Sequence, residues 1–147
     1  MLSDLHLHTF NSDGDATYLE HIQRAKALGL NAVALTDHDT MSGVKDFINE
    51  CSRHNLKAIS GIEFSTYKET EIHILGYNVE PDKSNPLTRE LAKLAQARKK
   101  RMLMIIDKLN NLGFNLSYEE IIQKYKTNSV SRYHIAKIGR ASCRERV

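Results

Sequence analysis

His6 and His8 stand two residues apart in Ser3–His8, a run predicted to be a short strand. On a strand, residues i and i+2 face the same way about 6.6 Å apart. Two imidazoles so placed can converge on one cation at about 2.0–2.1 Å. Asp4 shares their face, while Leu5 and Leu7 point to the other. One face is therefore ionisable and the other aliphatic, unlike an ordinary surface strand. Asp13 lies in Ser12-Asp13-Gly14, five residues beyond His8, at most about 17 Å of chain. Gly14 permits a tight return, so Asp13 either offers an oxygen to a neighbouring cation or serves a structural turn. Thr36-Asp37-His38-Asp39-Thr40 follows an apolar run directly and precedes a helical pattern. Ligand sites in parallel α/β sheets lie at the carboxyl ends of strands. Two acids and a histidine there are costly to bury without a cation; a helix N-cap accounts for one Asp or Thr but not for the group. Glu63, flanked by Ile62 and Phe64, needs an ionic or metal partner if buried, and its two oxygens can bridge two cations. His73 alternates with Ile72 and Ile74 and so faces away from them. Alone it reads as a satisfied core histidine; together, all these residues fall at strand ends on one side of the inferred sheet. His21 and His54 fall in helical stretches and read as exposed bystanders. Mixed imidazole and carboxylate donors suit zinc, manganese or iron better than calcium.

The elements that must position these groups follow from periodicity. Thr17 to Leu28 reads as a helix, with Thr17 and Glu20 at capping-box spacing, Leu19, Ile22 and Leu28 on one face and Gly29 as its stop. Asn31–Thr36 is a buried-strand pattern, and a second helix is expected from about Ser42 to Arg53 with Val44, Phe47, Ile48 and Cys51 inward. Lys57–Phe64 and Glu71–Tyr77 complete a strand–helix alternation that implies a largely parallel sheet. The pattern changes near Pro81. Asn85 and Pro86 suit the N-cap and first turn of a long helix over 87–112, with Met102, Ile105, Ile106, Leu109 and Leu112 apolar and Gly113 ending it. Ser117 and Glu120 form a capping-box pattern for a helix to about Tyr125. A third helix starts at Ser129 or Ser131 and ends at Gly139. The chain thus divides into 1–82, carrying the ligand motifs, and a helical module over 83–139. Residues 140–147 read as a frayed or non-native tail.

Residues 1–82 carry 6 Lys/Arg against 13 Asp/Glu, and residues 83–147 carry 15 against 5, although the net charge is only +3. Either these are two solvated surfaces, or the acidic half holds cations and the basic half faces an anionic substrate. The run Arg98-Lys99-Lys100-Arg101 wraps around a helix and reads as a solvated face rather than a nucleotide-attracting one. No stretch reaches the roughly 20 apolar residues of a membrane span, and no leader pattern precedes the first motif. Cys51 and Cys143 form no disulfide or metal framework. A cytosolic protein without membrane partners is expected.

The motifs Asp4-Leu5-His6-Leu7-His8-Thr9, Ser12-Asp13-Gly14, Thr36-Asp37-His38-Asp39-Thr40, Gly61-Ile62-Glu63 and His73-Ile74-Leu75-Gly76-Tyr77 together resemble the polymerase and histidinol phosphatase (PHP) family. Their order and spacing are most similar to its stand-alone phosphoesterases, which act on nucleotides and RNA ends. The resemblance covers residues 2–80 and extends more weakly to Ser131-Arg132-Tyr133-His134-Ile135-Ala136. It implies an α/β fold, the first half of a distorted barrel of seven βα units with a helical insertion. That barrel would hold up to three divalent ions. It implies His6 and His8 on a first metal, Glu63 bridging to a second that His73 also holds, and Asp13 and His38 on a third. Asp37 becomes a catalytic candidate behind the ligands or beside the substrate. Arg132 and His134 become candidates for phosphate or base contacts, and His134 for proton delivery. The implied reaction is hydrolysis of a small phosphorylated substrate, a nucleotide or short RNA, by a metal-activated hydroxide. The family's later ligands, including an Asp-x-His pair, have no counterpart after His73. A truncated chain, inactive by itself, is therefore expected, with histidinol-phosphate phosphatase and a non-catalytic metal-binding module as alternatives.

Overall fold

The computed structural model describes residues 2–80 and 86–144. Four strands and five helices follow in the order β1 (Ser3–Leu7), α1 (Tyr18–Ala27), β2 (Ala32–Leu35), α2 (Val44–Arg53), β3 (Lys57–Lys68), β4 (Thr70–Tyr77), α3 (Pro86–Asn111), α4 (Tyr118–Tyr125) and α5 (Arg132–Arg144). The strands lie in sequence order in one sheet. β1, β2 and β3 are parallel, as the alternation of strands and helices requires, but β4 pairs with β3 antiparallel. The expected largely parallel sheet holds across β1–β3, with β4 as its antiparallel exception. β3 runs four residues past Phe64 and turns back at Glu69, which has a φ of 61°. A connection that short can only join antiparallel strands. The sheet curls until the Tyr77 hydroxyl on β4 donates to the Leu5 carbonyl of β1 at 2.8 Å.

β2 is buried on both faces, as expected of a parallel strand covered by helices. Thr17 caps α1 with a complete capping box to Glu20. The buried side of α1 is Ile22 and Ala25, whereas Leu19 and Leu28 are exposed. Leu28 lies six residues from Ile22, about 120° off its face in a 3.6-residue helix. On α2, Val44, Phe47 and Cys51 are buried as expected. On α3, Met102 and Ile106 are buried but Leu112 is exposed; Asn85, the proposed N-cap, lies outside the described residues. Ser117 accepts from Glu120 N at the start of α4. α5 continues through Gly139 to Arg144 rather than ending at the glycine, so part of the expected tail has helical backbone.

Two apolar clusters result. Ile22, Val33, Leu35, Phe47 and Ile62 anchor the one under the sheet, and Leu91 of α3 joins it. Met102, Ile106, Tyr118, Ile121 and Val130 form the other within the helical module. α3 is the spine common to both. Among the described residues, no helix is long and apolar enough to cross a membrane.

Candidate metal centre

The ligand candidates converge at one end of the sheet. Glu63 is buried between the imidazoles. Its Oε2 lies 2.9 Å from His6 Nε2 and 2.9 Å from His8 Nε2, and its Oε1 lies 2.8 Å from His73 Nδ1. His38 Nδ1 is 3.7 Å from Glu63 Oε2, and His38 Nε2 is 3.7 Å from Asp13 Oδ2. Asp13 Oδ1 is in turn 3.5 Å from His8 Nδ1. All six residues assigned from sequence as ligands thus meet, in three overlapping groups: His6, His8 and Glu63; His8, Asp13 and His38; His38, Glu63 and His73. Asp4 does not join them; its carboxylate accepts instead from the His6 backbone at 3.1 Å.

Loop chemistry sets this convergence. Asp37 is buried at the end of β2. It accepts from Thr9 N at 2.7 Å, Thr9 Oγ1 at 2.6 Å and Ser12 Oγ at 2.6 Å, drawing the loop after β1 back over the strand ends. Burial raises its pKa, against the opposing hydrogen bonds of Ser12 and Thr9. Asp37 therefore shapes the ligand loop, and its oxygens are taken up there rather than presented to a substrate. A Cβ on Gly14 would lie 2.3 Å from the His8 carbonyl oxygen, so space, not a positive φ, demands glycine. His21 is no bystander: its Nε2 lies 2.9 Å from the same carbonyl. His54 pairs with Glu50 on α2.

The donor set fits divalent cations. His6 Nε2 and His8 Nε2 lie 3.0 Å apart, each 2.9 Å from one carboxylate oxygen. Three ligand atoms at right angles around a centre 2.0–2.1 Å away are spaced about 2.9 Å, and protons alone leave like atoms facing one another. His38 Nδ1 is buried with no hydrogen-bond partner, an orphan that a cation would satisfy. Burial pulls the His38 imidazole pKa down, partly offset by Asp13 and Glu63, favouring the neutral form that ligates metal. Burial pushes the Glu63 carboxyl up. The hydrogen bond from His6 and the fields of His38, His8 and His6 outweigh it, and the group stays an ionised acceptor.

A cleft of about 210 Å³ opens beside the cluster. Asp13, His38 and His73 line its strand side, and Arg98, Arg101 and Arg132 its helical side. The charge asymmetry of the two halves therefore meets across the site. Arg132 lines this cleft, exposed and 3.4 Å from Glu71 Oε2. His134 does not. It is buried in the helical module, its Nδ1 accepting from Ser131 N at 3.0 Å and lying 2.9 Å from Ser131 Oγ, with Tyr125 and Tyr133 against its ring. Substrate contact and proton delivery by His134 are corrected to a cap on the start of α5. Arg98 was missed. Its guanidinium pairs with Asp39 and donates to Ser65 Oγ at 3.1 Å. The missed signal was its position, seven residues after Leu91 and four before Met102, on the inward face of α3.

A 5′-3′ exoribonuclease of Haemophilus influenzae is 36% identical over 136 residues, which cover 91% of this chain and 48% of the relative. A 3′,5′-nucleoside bisphosphate phosphatase of Chromobacterium violaceum is 35% identical over 79 residues, 53% of this chain and 28% of that one. Among solved structures, a proposed metal-dependent phosphoesterase from Bifidobacterium adolescentis superposes with a TM-score of 0.83 at 26% identity, covering 92% of this chain and 48% of its own. The chain thus spans about half the length of the first curated relative it matches. The family model described as PHP domain matches residues 4–136.

Proposed function

Because the chain belongs to the PHP domain family, we propose that it forms the metal-binding wall of a phosphoesterase acting on nucleotides or RNA ends. The observation that carries this reading is the placement of Glu63 among His6, His8, His38 and His73 beside a cleft walled by arginines. His6, His8 and Glu63 would hold one cation, Glu63 and His73 a second, and Asp13 and His38 a third. Zinc, manganese or iron suits these donors. Bound there, such ions activate water and neutralise charge on a phosphoryl group.

This chain's own residues do the rest. Glu63 offers one oxygen to each neighbouring ligand group and spaces them. Asp37 keeps the Thr9–Ser12 loop in place. Arg101 and Arg132, both exposed on the helical wall, can engage phosphate oxygens as charge-assisted donors. The names of the exoribonuclease and bisphosphate phosphatase relatives support a nucleotide or RNA-end substrate over histidinol phosphate. A cytosolic location accompanies that reading. The test is metal content by elemental analysis, then phosphate release by the whole protein. The substrates are a nucleoside 3′,5′-bisphosphate, a 5′-phosphorylated oligoribonucleotide and histidinol phosphate. Preference for either of the first two is expected. Exclusive use of histidinol phosphate would overturn the substrate class, and metal uptake without phosphate release from any of the three would support the non-catalytic metal-binding alternative.

A further inference from the structure

Arg98 is a half-buried cation that the proposed reaction does not use. Leu91 of α3 belongs to the apolar cluster under the sheet, and Met102 to the cluster within the helical module. Arg98 shares their helix face and sits at the joint between the two, where α3 crosses the metal-ligand end. Its side chain is 17% exposed and that of Asp39 only 6%, unlike the open Arg101 and Arg132. The guanidinium donates to Asp39 Oδ2 and to Ser65 Oγ. Asp39 Oδ1 accepts from Ser65 N at 2.8 Å, and Asp39 N donates to the Glu63 carbonyl at 2.9 Å. Asp39 has a φ of 52°, a left-handed conformation uncommon outside glycine, though aspartate tolerates it better than most residues. Its neighbour His38 bridges to Glu63 across the strand ends and holds the orphaned Nδ1.

We propose that Arg98 is a positioning residue for the His8, Asp13 and His38 group. By clamping Asp39 against Ser65 it fixes the turn that presents His38, so this group reaches ligating geometry only when α3 is seated. The inference rests on reading the cluster as a metal centre. Lys137 supplies the control, since it ties the helical module to Asp15 at 3.0 Å without touching Asp39.

The experiment is Mn²⁺ titration by calorimetry, with metal content by elemental analysis, on wild type, Arg98→Met, Arg98→Lys and Lys137→Ala. Arg98→Met should weaken one class of site about tenfold or more, the scale of losing a group that orients a ligand. The remaining sites should stay within about twofold on the same basis. Arg98→Lys should recover part of the loss, and Lys137→Ala should bind like wild type. Unchanged binding by Arg98→Met, or an equal loss in Lys137→Ala, would overturn the inference. If Arg98→Met does not fold, Asp39→Asn must weaken the same class of site, and wild-type affinity in it counts against Arg98. Wild type that takes up no Mn²⁺ refutes the metal-centre reading itself; a loaded wild type with unaltered Arg98→Met refutes only the role of Arg98.

Discussion

Replacing Glu63 with glutamine separates metal binding from folding, because this carboxylate lies within two of the three ligand groups. Glutamine keeps the volume but removes the charge that faces His6, His8 and His73 at 2.8–2.9 Å. Without metal, the lost charge-assisted hydrogen bonds are offset by no longer burying an ion. The apo variant should therefore stay within about 1 kcal/mol of wild type. With metal, the two diverge. A cation at a hundred times its Kd stabilises the wild type by about 2.7 kcal/mol, roughly 5–10 °C in Tm for a chain of this size. Losing a direct ligand weakens binding by at least the ~100-fold upper figure for outer partners. At the same concentration the variant then gains only about 0.4 kcal/mol, or ~1 °C. Differential scanning calorimetry with and without Mn²⁺ or Zn²⁺ measures both quantities, and elemental analysis confirms loading. The His8, Asp13 and His38 group does not use Glu63, so residual uptake there is expected. An undiminished metal-induced shift in Glu63→Gln would refute Glu63 as a shared ligand.

Asp37→Ala leaves Thr9 N, Thr9 Oγ1 and Ser12 Oγ without their buried acceptor. At ~1–3 kcal/mol per orphaned donor, with partial rescue by water, a loss of about 3–5 kcal/mol is expected by urea denaturation; a loss under about 1 kcal/mol would show that the loop is held otherwise. Burial holds the His134 imidazole pKa below its ordinary 6.5. Above 6.5 it is neutral folded and unfolded; below, the unfolded chain takes the proton first and stability falls. His134→Gln should therefore flatten the decline in unfolding free energy between pH 7 and 5, and an unchanged slope would count against a buried neutral imidazole. Burial pushes the Cys51 thiol up to about 11 from 9.0. It should resist thiol reagents at pH 8 until the protein unfolds, and its contribution to stability should fade as the pH rises from 9 to about 11. Rapid labelling at Cys51 itself in the native protein would contradict its burial.

Several site residues were legible in the chain because chemistry and spacing coincide there. His6 and His8 alternate on a strand, Asp37-His38-Asp39 follows an apolar run, and Glu63 sits between Ile62 and Phe64. Each would be costly to bury without a partner, and the structure supplies shared partners for all the ligand candidates. The parallel β1–β3 order was readable too, since each crossover spans a helix. Local pattern could not determine which acid does what. Asp37 and Asp39 look equivalent in sequence, yet one organises the loop through Thr9 and Ser12 while the other answers Ser65 and Arg98.

The burial of His134 and the inward turn of Arg98 were decided by tertiary structure alone, whereas antiparallel β4 follows from a tight turn that the apolar pattern did not mark. Strand direction depends on where β3 turns, at Glu69. His134 follows a short motif, but the packing of α4 against α5 sets its exposure. The basic run looks solvated because sequence shows only that four cations wrap a helix, not which of them meets the strand ends. Residue type and spacing determine which side chains can share a face; only the docking of one element on another fixes what that face meets.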